Sequence, residues 1–158
     1  MNSRWHVNRI AIVLAIFVSF MRAGLAPGSA QTSRTSALTV RINGARNTKG
    51  QIGVVLFQRP EGFPGDTSKA VRQQRVNIDS GTRSAEVIFK DLPYGTYAVS
   101  VLHDENDNGK MDKTFMGIPR EGYGASNNPQ KRMGPPEFDE AKFSVTQPEQ
   151  TIEVKLIY

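Results

Sequence analysis

AEVIFKDLPYGTYAVSVLH, residues 85–103, is the stretch whose reading decides the fold. Ala85, Val87 and Phe89 alternate with Glu86, Ile88 and Lys90, a period of two that belongs to a half-buried strand. Pro93-Tyr94-Gly95 interrupts the period as a tight turn, with Gly95 expected at positive φ. A second strand follows, carrying Tyr97, Val99 and Val101 on one face and Ala98, Ser100 and Leu102 on the other.

The same period recurs on both sides of this stretch. Leu38, Val40 and Ile42 alternate with Thr39 and Arg41. Ile52 to Phe57, IGVVLF, is apolar on both parities and reads as a central strand. Val76 and Ile78 mark a third strand, Ala141, Phe143 and Val145 a sixth, and Ile152, Val154, Leu156 and Tyr158 the last, all four pointing inward. Ser68 to Gln74 has room for one helical turn. With turn signals at Asn43-Gly44, Ser80-Gly81 and Asn108-Gly109, the expectation is all-β: a single antiparallel seven-stranded β-sandwich with one long loop. An outer-membrane barrel is disfavoured because its strands run about ten alternating residues each, longer than most of these.

The N-terminus reads differently. Arg4, His6 and Arg9 precede a twelve-residue apolar run, Ile10 to Met21, and small residues follow up to Ala30. Such a run is shorter than the about 20 residues needed to cross a bilayer and fits a signal peptide over residues 1–30, cut after Ala30. Residues 31–37 are then expected to fray, and 38–158 to form one domain. The expected product is exported, periplasmic or secreted, and carries no transmembrane segment.

Charge and cysteine content exclude several classes. The chain carries 20 basic and 15 acidic residues, a net charge of +5. Loss of Arg4, Arg9 and Arg22 with the signal leaves the exported part only weakly basic, and no basic stripe with interleaved aromatics suggests a nucleic-acid partner. Absence of cysteine excludes disulfides, thiolate metal sites and a cysteine nucleophile.

Residues 104–140 break the rhythm, with five glycines, four prolines and four asparagines and no sustained period. A connection of that length in a compact domain is usually functional. Within it, Asp104-x-Asn106-x-Asn108-Gly109 alternates oxygen-bearing side chains ahead of a glycine, in the manner of a calcium loop. The candidate metal ligands are Asp104, Asn106, Asn108, the Lys110 carbonyl and Asp112, and calcium is the expected cofactor. Phe115 stands where the full pattern places a bidentate glutamate, so binding would be weak, or the segment is a metal-free turn. A second cluster, Arg120, Glu121, Tyr123, Ser126 and Asn127, has the composition of a recognition surface. Its alternative role, with Tyr123 and Phe115, is to pin the long loop onto the sandwich.

FKDLPYGTYAV (89–99), HDENDNGKMD (103–112) and GIPREGYGASNN (117–128) together resemble the bacterial DUF2141 family, exported proteins of unknown function. The resemblance spans residues 38–158. The Asp91-Leu92-Pro93-x-Gly95-x-Tyr97 stretch is also similar to prealbumin-like and carboxypeptidase-regulatory-like sandwiches, which implies a prealbumin or immunoglobulin-like form. Fold alone implies no activity. Hydroxyisourate hydrolases of that superfold end in Tyr-Arg-Gly-Ser, and this sequence ends Lys155-Leu156-Ile157-Tyr158.

The functional expectation is a non-enzymatic binding or accessory module of the bacterial envelope, with residues 104–128 as its working surface and an unidentified envelope or extracellular partner. Two alternatives stand beside it. One is a periplasmic hydrolase using His103 with Asp104 or Glu121, although Ser126 lacks the glycine pattern of a nucleophile elbow. The other is a purely structural envelope component.

Overall fold

The computed structural model describes residues 34–130 and 134–158, and the expected signal segment lies outside them. The described chain forms eight strands: β1 (Thr35–Asn43), β2 (Gln51–Phe57), β3 (Arg72–Val76), β4 (Ala85–Pro93), β5 (Gly95–Asp104), β6 (Gly122–Ala125), β7 (Phe143–Val145) and β8 (Glu149–Lys155). A single helical turn, α1 (Phe138–Ala141), precedes β7. No helix among the described residues is long and apolar enough to cross a membrane.

The strands make two sheets. One has the order β4-β1-β8; the other has the order β3-β2-β5-β6, with β7 paired to the first residues of β5. Leu38, Val40 and Ile42 of β1, Val87 and Phe89 of β4, Val54 and Leu56 of β2, and Tyr97, Val99 and Val101 of β5 close one apolar core. Period-two alternation places these side chains on the inner faces, as the sequence predicts. Tyr97 is fully buried, and its hydroxyl donates to the Pro93 carbonyl at 2.8 Å and accepts from the Gln58 amide at 2.9 Å. The apolar body and the polar tip of this tyrosine are both satisfied.

Ile52–Phe57 is central, lying between β3 and β5. Its second apolar face belongs to a smaller cluster in which Phe57, Ala98, Ala125, Phe138 and Ala141 pack with Phe63. Phe57 and Phe63 meet edge to face at 5.4 Å, and Phe63 and Phe138 at 5.9 Å.

Several expectations are corrected. The described residues form eight strands and not seven, because Gly122–Ala125 forms an extra one inside the long loop, where two glycines mask its pattern. The pairing is not wholly antiparallel: β1 runs parallel to β8, Val40 opposite Ile152 and Ile42 opposite Val154. The reason is that β7 and β8 belong to different sheets, so the chain crosses the sandwich between them instead of turning back in a hairpin. The one helical turn for which Ser68–Gln74 has room is a 3₁₀ turn over Thr67–Lys69, and the rest of that stretch starts β3, an edge strand whose exposed residues show no apolar period. Ala141 ends α1 instead of starting a strand.

The segment expected to fray is ordered from Thr35, with Ser36 buried and the Ala37 N–H bonded to the Pro148 carbonyl. Gly95 is not among the positive-φ residues; Asp91 takes that conformation at φ 53°. β4 and β5 lie in different sheets, so the Pro93–Gly95 turn is a corner between layers. The sheets also meet at the far edge, where Tyr123 and Ile157 exchange backbone hydrogen bonds of 2.9 Å.

Candidate functional site

The site is built where β5 runs out of partners. Beyond Asp104 the chain leaves the sheet, and residues 105–121 stand over the β1–β2 connection (44–50) and the 156–158 segment. Three side chains, one from the end of β5, one from the loop and one from the β1–β2 connection, hold its base.

Asp104 is the first. It is 1% exposed, with Oδ1 accepting the Asn108 N–H at 3.0 Å and Oδ2 accepting the Gly109 N–H at 2.7 Å. Arg75, reaching from edge strand β3, closes a salt bridge on Oδ2. Burial pushes the Asp104 carboxyl up, but the Gly109 N–H, the Arg75 guanidinium and the Asn108 N–H outweigh it and hold the carboxyl below its ordinary value. Gly109 at φ 76° and Asp107 at φ 58° permit the sharp return.

Glu121 is the second. It is buried, with Oε1 accepting the Glu105 N–H at 2.9 Å and Oε2 accepting the Asp112 N–H at 3.0 Å, so one carboxylate clamps both legs of the loop. The third is Arg46. Its guanidinium lies 2.6 Å from Glu105, donates to the Arg120 carbonyl at 2.9 Å and stacks 4.6 Å from the centre of the Tyr158 ring. Burial raises the Glu105 carboxyl, and the Asn47 amide and Arg46 outweigh it and bring it below its ordinary value.

His103 lies beneath this base, fully buried. Nε2 is 2.9 Å from the Lys49 carbonyl, which only accepts, so the ring donates there. Nδ1 then accepts from the Tyr158 hydroxyl at 2.7 Å, while that hydroxyl accepts the Arg46 N–H at 2.9 Å. Both ring nitrogens are committed to the fold.

Four of the expected calcium ligands, Asp104, Asn106, Asn108 and Asp112, are brought together in one hydrogen-bonded network. Asn106 and Asn108 donate their amide N–H groups to Asp112, at 2.8 and 3.0 Å. Their carbonyl oxygens accept the N–H groups of Asn108 and Lys110. The set does not fit a cation in this arrangement: Arg75 already brings positive charge to Asp104, and the asparagines turn donors toward the second aspartate. Among the described residues no three His, Asp or Glu side chains gather as a metal-binding group.

The second cluster is distributed. Ser126 is buried; it accepts the Val99 N–H at 2.9 Å and donates to the Ala141 carbonyl at 2.5 Å. His103 lies four positions beyond Val99 along β5, about 13 Å of strand, so no triad of His103, Asp104 and Ser126 assembles. Asn127, at φ 62°, donates to the Glu140 and Lys142 carbonyls. Tyr123 is half-buried in the β5–β6 pairing, and Arg120 is exposed.

The loop ends in a feature the residue types alone did not reveal. Lys113 pairs with Pro119, Thr114 exchanges hydrogen bonds with Ile118 and Gly117, and the Arg120 N–H returns to the Asp112 carbonyl at 2.8 Å. On this tight turn Phe115 is 98% exposed, Met116 67% and Ile118 54%. Phe115 therefore does not pin the loop to the sandwich; it points away from it. Arg46 and Arg75, which hold the base, and the tip itself were missed in the sequence. The available signal was an apolar Phe-Met-Gly-Ile run inside an otherwise polar stretch.

The family model described as "Uncharacterized protein conserved in bacteria (DUF2141)" matches residues 40–153, and the chain belongs to that family. No curated protein and no solved structure matches it.

Proposed function

We propose that this DUF2141 member is an exported, non-enzymatic binding or accessory module of the bacterial envelope, and that residues 104–128 are its working surface. The observation that carries this reading is Phe115, 98% exposed at the end of a turn whose base is tied down by Glu121, Asp104 and Arg46. Exposed apolar side chains are common singly, but a contiguous apolar tip on an ordered loop marks a contact site. A two-sheet scaffold of prealbumin-like form would serve as the rigid mount.

The hydrolase alternative has weaker support. His103, Asp104 and Glu121 are buried and engaged in hydrogen bonds that hold the loop, which leaves no evident general base at a cleft.

The test is site-specific photocrosslinking in the producing cell. A benzophenone side chain at position 115 is expected to form adducts in the envelope fraction, and one at Arg41, on the outer face of β1, is not. Equal labelling at both positions, or none at 115, overturns the reading. So does turnover of an ester, glycoside or phosphate substrate that is lost in His103→Ala.

A further inference from the structure

We infer that the Phe115–Ile118 tip is a wedge that inserts into an anionic lipid surface, a conclusion that rests on residues 104–128 being the working surface. Shape is the first reason. The tip is a single tight turn, and its three exposed apolar side chains offer far less than the roughly 800 Å² per partner of a standard protein interface. A bilayer needs no matching area: it takes up whatever apolar surface is presented, to the depth the surface reaches.

Charge is the second reason. Lys113 and Arg120 flank the tip along the chain, Lys110 lies five residues before Phe115, and residues 113–120 contain no acid. All three basic residues are exposed. The nearest carboxylates are occupied at the base: Asp104 and Asp107 face Arg75, Asp112 accepts from Asn106 and Asn108, Glu105 pairs with Arg46, and Glu121 holds backbone N–H groups. An apolar point ringed by cations is complementary to acyl chains beneath a layer of phosphates.

Rigidity is the third. The Glu121 clamp, the Arg46 bond to the Arg120 carbonyl and the cross-turn hydrogen bonds hold the tip open before any contact, so little ordering entropy opposes insertion.

The experiment is co-sedimentation of the exported chain with vesicles of phosphatidylcholine alone, and of phosphatidylcholine mixed with phosphatidylglycerol. Partition onto the phosphatidylglycerol vesicles is expected to fall at least about tenfold when Phe115, Met116 and Ile118 are each changed to Ser. It should fall about fivefold for each of Lys113→Gln and Arg120→Gln. Phe115→Trp should show a blue-shifted emission quenched by brominated acyl chains. Unchanged melting of the triple-serine chain certifies its fold, and Phe115→Ser alone is the fallback with the same expectation. Equal partition of wild type and tip variants, or no preference for phosphatidylglycerol, overturns the inference. If vesicles fail while position 115 crosslinks to a protein in cells, the lipid assignment falls and the working-surface reading stands; if both fail, both fall.

Discussion

The Tyr158 hydroxyl sits 2.7 Å from Nδ1 of His103, across 55 residues of sequence, and joins the last segment to the end of the central strand β5. Tyr158→Phe removes a donor to a fully buried ring nitrogen and the acceptor of the Arg46 N–H. Leaving such groups unpaired costs about 1–3 kcal/mol, a fall of roughly 3–10 °C in melting temperature for a domain of this size. Calorimetry checks it. A melt unchanged in Tyr158→Phe would mean that the hydroxyl contributes nothing to the site.

Arg75→Met is expected to destabilise the chain by about 1–2 kcal/mol, since it leaves the buried Asp104 carboxylate with two backbone N–H groups and no countercharge. Calcium should not substitute for the wild-type guanidinium. Wild-type melts in calcium and in chelator are expected to superimpose, and a calcium-dependent rise lost in Asp112→Asn would show that the loop rearranges to bind the ion.

Acid should weaken the loop first. The Asp104 and Glu105 carboxyls both titrate lower in the folded state than when unfolded. Their contribution is full above the unfolded value, near 4, and is lost as pH falls through the folded values. Urea midpoints are therefore expected to drop below about pH 4. The penalty of Asp104→Asn should shrink over the same range. A penalty independent of pH would assign the Asp104 effect to packing.

Glycine substitutions separate crowded positions from open ones. A Cβ at Gly50, already at φ 60°, would lie 1.9 Å from the Asp104 carbonyl oxygen, where only backbone movement relieves it. At Gly95 the nearest atom, Cε2 of Tyr97, is 3.5 Å away. Gly50→Ala is expected to cost several kcal/mol, against about 1 kcal/mol or less for Gly95→Ala. Comparable melts for the two would contradict the close approach of the β1–β2 connection to the loop.

Phe115→Ser should leave thermal stability within about 0.5 kcal/mol of wild type, because a 98% exposed side chain loses nothing on truncation. A marked loss of stability would place Phe115 against the body of the protein.

Most strands were legible in the sequence, because alternation along a strand is local: Leu38-Val40-Ile42 and Tyr97-Val99-Val101 declare their buried faces without reference to any partner. β6 was not legible, since glycine contributes no side chain to the period, and β3 was legible only at Val76, because its exposed residues before that carry no apolar period. The sequence by itself also singled out residues 104–140, as the one long stretch with no period. Tertiary structure alone decided what that segment does with its charges. Asp104, Asn106, Asn108 and Asp112 suit a metal or a turn equally well in composition. What composition could not place is Arg75, 29 residues upstream, whose guanidinium reaches the Asp104 carboxylate because β3 pairs against β2. Glu121 and His103 are likewise polar residues whose partners come from other segments of the chain, and burial made those bonds obligatory. Exposure of Phe115 was settled the same way, by the Glu121 clamp on both legs of the loop and the hydrogen bonds across its turn.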